Sequence, residues 1–130
     1  MSDFGNSLAL SASGMKAQAM RLRHVSENIA NADTPGYRRK VVSFETQFGA
    51  PEGVRHVETG RVRLDRSDLS RIYEPSHPMA DETGHFEGSN VRLVIEIADA
   101  REAQRSYEAN LKMFDQARQM SSSLMDLLRR

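Results

Sequence analysis

The side chains in this chain best able to bind a metal or move a proton are four histidines and a scatter of carboxylates. His77, Asp81 and His85 are spaced by four, which would stack three ligands on one face of a helix. Pro78 and Gly84 fall inside that span, and neither belongs in a helix interior. No second carboxylate–histidine pair stands nearby to complete a ligand set. The three are therefore expected to hydrogen-bond loop backbone, with His77 fixing the chain ahead of Pro78, and no metal is expected. Serine, histidine and aspartate are all present, but no strained nucleophile elbow and no glycine-rich phosphate loop accompanies them. Cysteine is absent, which removes disulfides, thiolate catalysis and cysteine-ligated metals together. The expectation is a chain without catalytic residues or cofactor.

The totals point the same way. The 130 residues fit one domain, yet only 38% are apolar and 6% aromatic, with no tryptophan. That implies a thin core, or one completed by other chains. Eighteen basic residues balance eighteen acidic ones, whereas a nucleic-acid binder carries a basic excess. No run approaches the ~20 apolar residues of a membrane span. The first twenty residues lack the basic start and continuous apolar run of a secretory signal.

Two helical regions would position whatever this chain presents. From about residue 4 to 31, Leu8, Met15, Leu22 and Ile29 recur every seven positions, with Phe4, Ser11, Gln18 and Val25 as the second seam. From about 91 to 128, Ala100, Tyr107, Phe114, Ser121 and Leu128 repeat likewise, beside Ala103, Asn110, Ala117 and Leu124. Leu111, Met113, Met120, Met125 and Leu127 add more apolar surface than one partner helix can cover. Between them, residues 41–48 alternate Val42, Phe44, Thr46 and Phe48 as a half-buried strand. Residues 54–64 suit two short strands around a turn at Thr59-Gly60, and residues 74–90, with two prolines and no lysine or arginine, suit an ordered or semi-ordered loop. The fold class expected is mainly α and elongated. The N- and C-terminal helices pair as an antiparallel coiled coil around a small β-rich or irregular insert, with boundaries at 1–33, 34–90 and 91–130.

The run "NIANADTPGY" (28–37) stops the first helix abruptly. Pro35 and Gly36 suit the two central positions of a type II turn, and Thr34, ahead of proline, is pushed out of the helical region. Asn31 suits the left-handed conformation at a helix end. Asn28 and Asn31 can bond the last bare carbonyls, while Tyr37 packs its ring on the first helix.

Those ten residues resemble the N-terminal signature of the bacterial flagellar axial proteins of rod and hook. A second stretch, "YEPSHPMADETGHFEGSNVRLVIEIADAREAQRSYEAN" (73–110), resembles the signature of the FlgC family of proximal-rod proteins. The matching loop positions are Tyr73, Pro75, His77, Pro78, Asp81 and Gly84; "HFEGSNV" and the charged "VIEIADAREAQ" depart from it. The resemblance implies a structural subunit of the rod that links the membrane ring to the distal rod and hook, its terminal helices packing into a tube. It implies export without a cleaved signal through the flagellar type III apparatus, and a periplasmic place in the basal body. Partners would be further copies of the chain and the rod proteins FlgB, FlgF, FlgG and FliE, with no nucleic acid. The contact residues expected are Leu8, Met15, Leu22, Val25 and Ile29, against Tyr107, Leu111, Phe114, Leu124 and Leu128. Asn28, Asn31, Thr34, Pro35, Gly36 and Tyr37 would set the angle of the insert. The alternatives are the companion proximal-rod protein FlgB and, outside the family, a helical adaptor or oligomerisation module.

Overall fold

The computed structural model describes residues 2–49 and 54–130, without the side chains of residues 2, 45–49 and 54–56. Helix α1 spans Ser2–Ala30 and α2 spans Leu93–Arg129. Between them run β1 (Lys40–Gly49), β2 (Val54–Leu64), β3 (Arg71–Tyr73) and β4 (His85–Glu87), paired as two separate antiparallel hairpins. The fold is mainly helical with a small β insert, as expected.

Both helices form because alanine, leucine, methionine, glutamine and charged long-chain residues dominate them, and these lose little freedom in a helix. At ~1.5 Å per residue the 37 residues of α2 reach about 55 Å. The helices run antiparallel: Asn28 meets Glu96, Arg21 meets Glu102, and Gly14 lies against Asn110. Residue numbers fall along one helix as they rise along the other.

The line between them follows the second heptad seam, not the more apolar first one. On α1 it buries Ser11, Gly14, Val25 and Asn28; on α2 it buries Glu96, Ala103 and Ala117. Small side chains bring the two backbones close, and a Cβ on Gly14 would sit 2.7 Å from the Asn110 side-chain oxygen, so Asn110 would have to shift. The large apolar residues are left on the flanks.

The β1–β2 hairpin lies along one flank of α1. Val57 N–H donates to Ser13 Oγ at 3.0 Å, and the Phe44 ring sits under the Arg21 guanidinium. Residues 54–64 form one continuous strand rather than two around Thr59-Gly60. The irregularity expected as a turn is absorbed as a bulge: Val42 pairs with Val62, but Phe44 pairs with Thr59. Phe44 is exposed beyond the half-burial expected, and the inward alternation of Thr46 and Phe48 lies outside the described side chains.

The 74–90 segment is also more ordered than a loop. Ile72 pairs with Phe86, and Pro75 and Pro78 ride on successive turns closed by Glu74 and His77 carbonyls. Gly84, at φ +81°, turns the chain into β4 where a Cβ would strike the Tyr73 ring.

Candidate functional site

The helix stop at residue 30 leads into a junction where both helices and both hairpins meet. Ala30 ends α1, Thr34 accepts a bond from Tyr37 N–H at 3.2 Å, and Gly36 takes φ +75°, as a type II turn requires. Asn31 departs from expectation, because no described non-glycine residue has positive φ. It stays right-handed and caps with its side chain instead, donating to the Glu27 carbonyl at 2.9 Å.

Asn28 is fully buried and uses its whole amide. Its nitrogen donates to Lys40 O (3.0 Å) and Glu96 Oε2 (3.2 Å). Its oxygen accepts from Lys40 N–H (2.8 Å) and the Tyr37 hydroxyl (2.9 Å). Asn28 thus bonds across to the first residue of β1, not to the carbonyls at its own helix end. Burial and the hydroxyl's surroundings hold Tyr37 above its ordinary pKa.

Glu96, fully buried on α2, receives Arg39 Nε at 2.7 Å. Arg39 reaches Asp65 (3.3 Å) and Asp99 (3.4 Å) as well. Burial opposes the Arg39 charge, but the carboxylates of Glu96 and Asp65 outweigh it and raise its pKa. Lys40 bonds Glu27 at 2.6 Å, which lowers the Glu27 pKa and raises that of Lys40. The Ser67 N–H, donating to the Asp65 carboxylate at 2.8 Å, lowers the Asp65 pKa.

The 87–90 stretch closes the junction from the other side. Gly36 N–H donates to the Glu87 and Gly88 carbonyls, and Ser89 Oγ donates to Ala32 O. Asn90 Oδ1 accepts from Arg39 N–H at 2.7 Å, and its nitrogen donates to Asp65 O at 2.9 Å. The two sequence motifs, some fifty residues apart, therefore grip one another through backbone and amide bonds. Such a network fixes the orientation of the insert on the helix pair.

In the outer loop, Asp81 accepts from Thr83 and His85 N–H, and the Thr83 hydroxyl leads the effects that lower its pKa. His77 stacks on Phe86 at 3.9 Å and accepts from Met79 N–H. Tyr73 and Pro75 cover Gly84, and Pro78 is exposed. Among the described residues, no group of three histidine, aspartate or glutamate side chains is placed to share a metal ion.

Of the ten expected contact residues only Val25 is buried. Leu8, Met15, Leu22, Phe114 and Leu124 are half-buried, while Ile29, Tyr107, Leu111 and Leu128 are exposed. Leu8, Met15, Leu22 and Ile29 share the flank of α1 opposite the hairpin, on the side of the pair where Tyr107 and Leu111 emerge from α2. Arg39, Lys40, Asp65, Ser89 and Glu96 were not expected in the site. Glu96 had a readable signal: it stands seven residues before Ala103, on the same line as Ala103, Asn110 and Ala117. Among the described residues, no helix is long and apolar enough to cross a membrane.

Residues 8–38 match the family described as flagella basal body rod protein, and residues 82–127 match the C-terminal family of the flagellar basal body rod FlgEFG proteins. The flagellar basal-body rod protein FlgC of Agrobacterium fabrum is 45% identical over 127 residues, covering 92% of this chain and 91% of that one. The FlgC of Aquifex aeolicus is 37% identical, covering 88% and 89%, and that of Salmonella typhimurium 29%, covering 94% and 96%. The chain belongs to the FlgC family of flagellar basal-body rod proteins.

Proposed function

We propose that the helix pair of this chain packs as an antiparallel coiled coil into the wall of the proximal rod, the tube that links the membrane ring to the distal rod and hook. Family membership makes the chain a structural subunit of the flagellar basal body and not an enzyme. One observation carries the finer reading: α2 is apolar on both flanks beyond what α1 covers. On one side Tyr107, Leu111, Met125 and Leu128 are exposed; on the other, Met113, Met120 and Leu127. A helix bare on two flanks needs a neighbour on each. Repeated head-to-tail contacts that do not close give a helical tube.

In this reading residues 1–33 and 91–130 form the rod core, and 34–90 stand outside it. The periplasmic placement, export through the type III apparatus without signal cleavage, and contacts with FlgB, FlgF, FlgG and FliE belong to the same proposal. The test is electron microscopy of basal bodies from a strain lacking the gene. Membrane rings without a rod, restored by a plasmid copy, are the expected result; complete flagella in that strain would overturn it.

A further inference from the structure

The β1–β2 hairpin presents, at its base, a stretch of strand that no described residue covers. Arg61, Val62, Arg63 and Leu64 are all exposed, Val62 at 47% and Leu64 at 56%. Strand alternation puts Val62 and Leu64 on one face and Arg63 on the other, with Arg61 at the bulge just before them. Arg61, Arg63 and the nearby Arg66 make no ion pair within the described residues, whereas Arg38, Arg39 and Arg71 all have partners.

The charge of this neutral chain is unevenly placed. Residues 54–72 hold five arginines against three acids, while residues 73–90 hold four acids and no lysine or arginine. Of those four, Asp81 is engaged by Arg71 and Thr83. Glu74, Glu82 and Glu87 are exposed, and their carboxylates have no partner among the described residues. Beside them stand Tyr73 and Met79, exposed at 67% and 64%. One surface is thus basic, with the exposed Val41 paired beside Arg63; the other is acidic, with an aromatic and a methionine.

We infer that the exposed base of the hairpin docks the 73–87 loop of a second copy of this chain, arginine strip against acidic loop, as a contact separate from the helix seam. Two different patches on each copy make the contact head-to-tail, the kind that continues instead of closing into a dimer. The opposed charges set orientation and suppress the mirrored pairing, in which arginines would face arginines. Tyr73 and Met79 supply the apolar area that exposed ion pairs alone do not.

The inference rests on the rod reading, so the experiment separates the two. In a strain lacking the gene, motility restored by the unaltered plasmid copy establishes the rod role first; failure there is a failure of that reading. Two variants are then compared: R61E/R63E and E74R/E82R. Each should lower the yield of rod-bearing basal bodies about tenfold or more, because like charges then meet across the contact. The four changes combined, which restore opposite signs, should recover most of the yield. Circular dichroism and melting of each purified variant guard against misfolding, and these exposed positions should leave both unchanged. Normal rods from either double variant overturn the inference, as does a folded quadruple variant that recovers nothing.

Discussion

The junction around Asn28 and Glu96 and the far half of α2 obey opposite rules. At the junction, polar side chains are buried and satisfied: Asn28 fills four hydrogen bonds, and Glu96 meets both Arg39 and Asn28. From Leu111 onward the helix shows exposed leucines and methionines instead; buried side-chain atoms without a hydrogen bond lie on α1 at Ser11 and Gln18 and, at the edge of the junction, on the His24 ring. One region is largely satisfied within a single chain; the other, in the rod reading proposed above, is half an interface. A subunit that must hold its shape alone and then polymerise needs both. Hydrogen bonds give the junction geometry without stickiness, and the bare flanks give association without a prior shape.

The comparison breaks most severely at Arg39. Arg39→Ala leaves Glu96 charged and buried without its main partner, a change that costs about 3–5 kcal/mol. Urea unfolding of the purified protein should show that loss. A cost well under 1 kcal/mol would mean that the junction is not the stable end of the molecule.

Next is the closest approach of the helices. Gly14→Leu must push against Asn110, whose side chain already lies within 3 Å of where a Cβ would stand. Overpacking of this kind costs about 1–3 kcal/mol. Asn110→Ala on the same background should return part of it in a double-mutant cycle. Independent, additive effects would deny the contact.

These two sites also mark what the sequence made legible. The helices, their heptad lines and the Pro35-Gly36 turn follow from local rules, and the structure contains them. The choice among heptad lines was not local. The larger apolar line is Leu8, Met15, Leu22 and Ile29, but the chain's own partner takes the second heptad line at Ser11 and Val25, with Gly14 and Asn28 beside it, because small and bonded side chains let the backbones approach. Apolar residues mark burial somewhere, and in the rod reading proposed above much of it is against other chains. The Ile72–Phe86 pairing was hidden for a different reason: three-residue strands carry no readable alternation, and their pairing depends on contacts that turns and Gly84 arrange.

The bare flank gives the third prediction, where stability and function should separate. Leu128→Asp changes a side chain that is 71% exposed, so unfolding of the free chain should move by no more than ~0.5 kcal/mol. Motility in the complemented deletion strain should be lost nonetheless. A variant that swims normally would remove Leu128 from the contact.

The smallest effect is titration of the junction. Asp65 and Glu27 both have folded pKa values below their ordinary ones, held there by the Ser67 N–H and by Lys40. A lowered carboxylate pKa means that the unfolded chain binds protons first. The stability it contributes is present above about pH 4 and is lost as pH falls through the folded value. Lys40 and Tyr37 are raised, so their contributions hold below about pH 10 and fade as pH climbs past it. Stability should therefore be flat through neutrality and fall at both extremes, and Asp65→Asn should flatten the acid limb. An acid limb identical in that variant would mean that other carboxylates carry it and that the Ser67–Asp65–Arg39 corner is only loosely held. Asp81 in the outer loop, held low by the Thr83 hydroxyl, adds to the same acid limb, so what survives in Asp65→Asn measures Glu27 and Asp81 together.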